Sequence, residues 1–419
     1  MLKPANVTEV RSAVAQVVRQ HALGWLVAAN VIGVGLATLL LWPTAGDRLA
    51  PFSYGRWMPL HLNWQLYGWC ALPLVGALLV WILVPDHPSV ITHARWALGA
   101  WSVALGLGGI SWLSGVTSGK LFLDWHGWAR PVLPLAMVVL WTILGAHAWW
   151  RWPQDSRRER GLRWGILGGL LGVPAGLYWA AGRDVYPSVN PHSGGATGAA
   201  LLGSTLGVIA IFGLLPQWLG AKRSAADNQR QPGVFWGAWL VSVGVWAAID
   251  HGNTSHHEGA QIVGLGVLLL WVPLLIWWWK NHTWSEGAKC WLGAALAWWG
   301  LLVVTGWITF LPGVSERLKF TNALVGHAHL AMAGLVTSVN GMILNQLDPT
   351  RPMRRGFALW QGAVLVHVVV LSLMGWWERD HAEAFFNGVA WVQVGYTIRW
   401  AAGIAMAVAS VQMLRETRR

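Results

Sequence analysis

Charge is scarce in this chain. Only 11% of its 419 residues are Asp, Glu, Lys or Arg, against 55% hydrophobic ones, and mean hydropathy is +0.45. That excludes an ordinary soluble fold, in which about a quarter of the residues are charged, and indicates a multi-pass integral membrane protein. Acidic residues are rarest of all, 17 against 29 Lys and Arg, for a net charge of +12. In a chain this apolar, a basic excess reflects the positive-inside distribution of loops and requires no polyanion, so membrane lipids are expected partners and nucleic acid is not. Cys70 and Cys290 are the only cysteines; each lies in an apolar run, and no C-x-x-C-H occurs. Neither a disulfide framework nor a covalently attached haem is expected. There is no 20 to 50 residue repeat and no low-complexity linker, so residues 1–419 read as a single membrane domain. The first apolar run begins near Ala22, lacks a small-residue cleavage site and is followed by further runs, which suits a retained helix rather than a signal peptide.

Stretches of about 20 apolar residues are long enough to cross a hydrocarbon core. They fall approximately at 22–42, 59–84, 94–115, 131–150, 164–181, 197–219, 233–250, 260–279, 290–312, 323–345, 356–377 and 390–414. The expected fold class is therefore all-α integral membrane with about twelve transmembrane helices. An even count puts both termini on one side. The densest basic cluster, Arg151, Arg157, Arg158, Arg160 and Arg163, shares that side with the termini, so both are expected in the cytoplasm. Tryptophan is abundant, 35 in all, too many for interfacial belts alone. Buried tryptophans suit either ordinary packing or the walls of a large flat cofactor, and composition does not choose between them.

Fifteen histidines are many for such a chain. His61, in Arg56-Trp-Met-Pro-Leu-His61, falls just inside the outer end of the second span. His327 and His329, in Val325-Gly-His-Ala-His-Leu330, fall about one turn inside the outer end of the tenth. A helix turns about 100° and rises about 1.5 Å per residue, so an i, i+2 pair diverges while staying at nearly one depth, and one helix can serve two cofactors. Haem iron takes axial imidazoles: two make a low-spin electron-transfer haem, one leaves a face open to small ligands. The competing reading is a polar side chain satisfied across helices.

These residues, with Gly115-Val-Thr-Ser-Gly-Lys120, Phe320-Thr-Asn ahead of Gly326-His-Ala-His329, and Tyr396-Thr-Ile-Arg399, occur in an order that resembles the haem–copper oxidase superfamily over essentially the whole chain. Within it, the chain resembles the cbb-type cytochrome c oxidase catalytic subunit most. The resemblance implies a haem–copper-oxidase-like bundle. It also implies two b-type haems nearer the outer face: His61 and His329 as the axial pair of a low-spin haem, His327 as the proximal ligand of a high-spin one. Arg56 and Arg399 match positions that bind haem propionates, where a guanidinium suits a carboxylate; as a plain sequence feature they are snorkelling arginines. Implied partners are cytochrome c-type subunits or soluble cytochrome c and other membrane subunits of a complex, in a bacterial inner membrane.

The second-metal pattern of that family is altered. Its ligand on the sixth helix is replaced by Ala196 or Thr197, with His192 about one turn earlier, and its His pair on the seventh by Asp250-His251, while His256-His257 follows in the next loop. One reading has His192, His251 and His256 or His257 converging from outer loops on a displaced Cu or non-haem Fe, for which three imidazoles are suitable ligands. The other has the metal lost and these histidines as loop residues, and the changed positions favour it. The five tyrosines are Tyr54, Tyr67, Tyr178, Tyr186 and Tyr396, none on the seventh helix, and Leu301-Leu-Val-Val-Thr-Gly306 lacks the family's acid. Asp124, Asp250 and Glu258 are substitute proton carriers only if they are more than surface or loop carboxylates. Two functions follow. In the first, a redox subunit moves electrons from a cytochrome c-like donor through the low-spin haem to a high-spin haem that binds O2 or NO. The alternative is an electron-transfer or scaffold subunit derived from an oxidase, without second metal or gas reduction. A haem-free transporter would show repeated halves and paired broken helices, and neither is seen.

Overall fold

Lipid offers backbone polar groups no partner, so a spanning chain this apolar must close its hydrogen bonds within helices. The computed structural model, which describes residues 7–223, 230–381, 383 and 388–417, is built that way. Among the described residues there are no strands, only isolated bridges between Val189 and Ala196 and between Arg223 and His282. The long helices are α1 (Val7–Leu41), α2 (Tyr54–Ile82), α3 (Val90–Leu113), α4 (Val132–Arg151), α5 (Arg157–Ala180), α6 (Gly198–Trp218), α7 (Gln231–Ala248), α8 (Gly259–Lys280), α9 (Glu286–Phe310), α10 (Asn322–Leu347), α11 (Phe357–Glu378) and α12 (Ala390–Glu416). Ten of these are long and apolar enough to cross a membrane. The expected fifth and seventh spans correspond to α5 and α7, helices of 24 and 18 residues that are not among those ten.

The chain divides into two compact units. One contains the residues up to Val185 together with Ile343–Trp360 and everything from Gly403 on; the other contains Tyr186–Met342 and Gln361–Ala402. In the first, α1 lies close against α2, because a Cβ on Gly68 would come within 2.7 Å of Trp25. Small residues at such crossings let helix backbones approach and gain dispersion contacts that lipid does not replace. Trp69, Trp112 and Trp125 are fully buried there, and the Trp25 and Trp64 rings meet at 5.1 Å. Arg19, 2% exposed on α1, donates to the carbonyls of Arg351 and Leu344 at 2.7 and 2.9 Å, so its charge is held by main-chain dipoles.

In the second unit Trp271, Trp279, Trp291 and Trp299 fill the core. The indole N–H groups of Trp278, Trp279 and Trp299 donate to the carbonyls of Gly213, Phe212 and Trp271. These tryptophans are closely packed, with their polar ends satisfied.

Two helices depart from α geometry at matching places. In α2 the α-helical stretch Tyr54–Asn63 gives way to a π-helical segment, Trp64–Cys70, before α geometry resumes at Leu72. In α10 the stretch Asn322–His329 gives way to a π-helical segment, Leu330–Val336, before Thr337. Such segments are rare and gather at functional sites.

Candidate functional site

His61 sits two residues before the end of the first α-helical stretch of α2, immediately upstream of the π segment. Its Nδ1–H donates to the carbonyl of Ala29 on α1 at 2.9 Å. That bond sets the neutral ring's tautomer, with the lone pair on Nε2, which is how a metal-binding imidazole is held by its outer partner. The ring rests against Gly33, where a Cβ would come within 2.7 Å of Cε1 and 2.9 Å of Nδ1. Glycine at 33 is therefore a spatial requirement of the imidazole.

His329 is arranged alike. It is the last residue before the π segment of α10, and its Nδ1–H donates to the carbonyl of Val325, one turn earlier, at 2.8 Å. Its ring meets that of His367 on α11 at 4.5 Å. His327 lies beside Gly306 of α9, where a Cβ would stand 3.4 Å from Cε1. The two histidines of the i, i+2 pair thus face different helices, as their spacing requires. His367, 5% exposed, escaped the sequence reading; a single histidine in the apolar run of α11 was its only signal.

The start of α10 is fixed from α11. Glu378 accepts the backbone N–H of Asn322 at 2.7 Å and also its side-chain amide, and the Thr321 hydroxyl caps the same end by accepting from Ala323. A carboxylate at a helix N-terminus also meets the positive end of the dipole. Gly326 and Gly375 bring α10 and α11 into close approach: a Cβ on Gly326 would reach Leu371 at 3.1 Å, and one on Gly375 would overlap the backbone nitrogen of Ala323. Arg399 reaches Asn322 Oδ1 at 3.4 Å and lies over the Tyr396 ring. Arg56 donates to the Leu113 carbonyl at 2.9 Å and packs against Gly115, whose φ of 86° places it in the left-handed region.

Of the four histidines considered for a second metal, three come together. The His192 ring lies 5.0 Å from that of His257 and 6.5 Å from that of His256, and the His256 and His257 rings are 4.4 Å apart. His251 is separate: it packs on Trp246 at 4.7 Å and lines a different small cavity, of about 220 Å³, with Ser188, Thr197 and Ser204. Glu316, missed from sequence, gathers the pair through Oε1, which accepts from Nε2 of His256 at 2.8 Å and lies 3.0 Å from Nε2 of His257. Its neighbour in the network is Asn190, whose side-chain nitrogen donates to His256 Nδ1 at 2.9 Å and whose oxygen accepts from the backbone of His192 and Ser193. Burial alone would raise the Glu316 pKa, but hydrogen bonds from its own backbone N–H, His256 and Gly313 outweigh it and bring the carboxyl down to about 2.

Two imidazoles and a carboxylate are a suitable donor set for iron or zinc, and their ligand atoms lie within 4.8 Å of one another. In this arrangement both ring nitrogens of His256 are taken by side chains, Nδ1 by Asn190 and Nε2 by Glu316. With Nδ1 accepting from Asn190, the His256 proton is on Nε2, the atom an ion would need, and the Asn190 amide cannot turn over because its oxygen already holds two backbone N–H groups. Among the substitute carboxylates, Asp250 and Glu258 are exposed loop residues, but Asp124 is not at the surface: it is 2% exposed, and its Oδ1 accepts from the backbone and hydroxyl of Ser118.

Fold and composition define the class: an α-helical, multi-pass membrane protein with histidines presented from helix interruptions. No family model matches the chain. Among curated proteins it is similar to the Cbb3-type cytochrome c oxidase subunit CcoN1 of Stutzerimonas stutzeri, with 23% identity over 370 residues that cover 80% of this chain and 75% of that protein. The similarity supports a distant relationship to haem–copper oxidases.

Proposed function

We propose that the chain is a haem-bearing redox subunit of a respiratory-type complex in a bacterial inner membrane, with both termini in the cytoplasm and two b-type haems nearer the outer face. His61 and His329 serve as axial ligands of a low-spin haem, and His327 as the proximal ligand of a high-spin one. Arg56 and Arg399 bind propionates. A cytochrome c-type subunit or soluble cytochrome c supplies electrons, and other membrane subunits complete the complex. The observation that carries the reading is the shared construction of His61 and His329: each hands its Nδ1 proton to a backbone carbonyl and stands directly upstream of a π-helical segment.

Haem, when bound, supplies a one-electron couple and, where one axial position is open, a place for a small gas. The chain's own part is positional. Ala29 and Val325 hold the two imidazoles in the tautomer that ligates through Nε2, Gly33 makes room for the His61 ring, and Glu378 with Asn322 fixes the start of the helix that carries His327 and His329.

The test is spectroscopic. Dithionite-reduced protein is expected to show two haems per chain and a CO-induced shift that His327→Ala removes while the low-spin bands remain. A preparation of folded chain without haem defeats the proposal.

A second reading is favoured by the network around Glu316, in which both ring nitrogens of His256 are taken by hydrogen bonds to side chains, and by the separation of His251. In it the chain relays electrons, or serves as a scaffold, without reducing a gas at a second metal. Sustained O2 or NO consumption lost in His327→Ala decides against it.

A further inference from the structure

A second group of imidazoles lies in the first compact unit and shares no residue with the groups assigned above. His87 is in the turn between α2 and α3, His93 is in the first turn of α3, and His147 is one turn before the end of α4. One ring nitrogen from each comes within 4.8 Å of the other two. His93 Nδ1 and His147 Nε2 are 2.9 Å apart, and the His87 ring stacks on Trp150 at 4.3 Å with an interplanar angle of 4°. His147 is fully buried, whereas His87 and His93 are half-buried, so the group opens to one side.

We propose that His87, His93 and His147 form a binding site for a divalent transition metal that prefers imidazole, Zn2+ or Cu2+. Three neutral imidazoles from a turn and two helix ends are a donor set for these ions, with a fourth position left to water. His93 already directs the lone pair of Nδ1 into the group. Among the described residues no carboxylate is paired with these rings as Glu316 is in the other cluster. Arg151, one turn after His147, is turned away: it donates to the Leu83 carbonyl at 3.1 Å and pairs with Asp155 at 3.6 Å.

Loading has a definite proton consequence. In the metal-free arrangement His147 accepts the backbone N–H of Val84 at Nδ1, at 3.1 Å, so its own proton is on Nε2 and is shared with His93. An ion taking Nε2 moves that proton to Nδ1, and the Val84 N–H must leave the ring. His87 likewise accepts the Ser89 N–H at Nδ1, at 3.2 Å. The turn that carries Val84 and His87 therefore rearranges when the ion binds; no net proton is released and no oxidant or reductant is involved.

The test uses the full chain purified with a tag free of histidine, equilibrated with ZnSO4 or CuSO4 and dialysed before metal analysis. The expected result is one ion per chain lost in His87→Ala and in His93→Gln, and retained in His257→Ala. Nitrogen couplings from imidazole in the Cu2+ resonance spectrum should disappear with the same two variants, while haem content and elution volume stay at the parental values. Because both substituted rings are half-buried, the variants are expected to fold; protection of the Val84 amide against exchange should also fall on adding Zn2+ to the parental chain. An ion count unchanged in both variants overturns the proposal, as does loss of the ion in His257→Ala alone. Haem content reports separately on the proposed redox function, so failure of one does not pass for failure of the other.

Discussion

The carboxylate of Glu378, on the last residue of α11, accepts the backbone N–H of Asn322 at 2.7 Å, on the first residue of α10. It therefore closes the end of the helix from which His327 and His329 project. Glu378 is 8% exposed and also takes the Asn322 side-chain amide. Replacing it by alanine leaves buried donors without a partner, a loss of about 1–3 kcal/mol. Glu378→Ala is expected to lower the unfolding temperature and loosen haem retention. Glu378→Gln, which keeps an acceptor oxygen, should lose less of both. Equal losses in the two variants would show that charge, rather than acceptance of the helix-end N–H, is what matters.

Gly33 offers a sharper probe of His61. A methyl group at 33 would stand 2.7 Å from His61 Cε1, whereas one at Gly35, on the same helix, meets nothing within 4 Å. Gly33→Ala should displace the ring and abolish or shift the low-spin haem bands, while Gly35→Ala keeps the parental spectrum. Spectra that are unchanged in Gly33→Ala would remove His61 from the ligand set.

Much of this arrangement was legible in the residues. The long helices follow the apolar runs, and the divergence of His327 toward Gly306 and of His329 toward His367 follows from their two-residue spacing on a helix. The π segments were not legible, because one extra residue in a turn leaves no mark in composition. Nor was the partnership of His256 with Glu316, 60 residues apart, or of His93 with His147, 54 apart. Sequence spacing reports neighbours on one helix, but these pairs are made by tertiary packing. Grouping His251 with His192, His256 and His257 assumed that nearby loop histidines converge; instead the Trp246 ring holds His251 to the end of α7.

The approach of α11 to α10 depends on Gly375. A Cβ there would overlap the backbone nitrogen of Ala323, which, unlike a side-chain tip, cannot rotate aside. Gly375→Ala is expected to destabilise by about 1–3 kcal/mol through overpacking. Gly362→Ala on the same helix meets nothing within 4 Å and should be neutral, or stabilising by up to about 1 kcal/mol from helix propensity. Thermal unfolding of the two variants in one detergent compares them directly. Equal midpoints would mean that α10 is not seated through this contact.

His282, in the loop after α8, gives the protein a pH dependence whose sign can be worked out. It is 7% exposed, and its Nδ1–H donates to the Trp278 carbonyl at 2.8 Å. Burial holds its pKa below the ordinary 6.5, Arg223 pushes the same way, and the Trp278 carbonyl partly offsets them. Above pH 6.5 the ring is neutral folded or unfolded, and its contribution to stability is fully present. Below that value the unfolded chain takes up a proton that the folded ring resists, so stability falls until the folded pKa is passed. His282→Gln removes the titration and should flatten the part of the stability profile between pH 7.5 and 5 that His282 causes. The check is the difference in unfolding temperature between parent and variant across that range: it should narrow steadily as the pH falls, and a constant difference would assign the acid sensitivity to other groups.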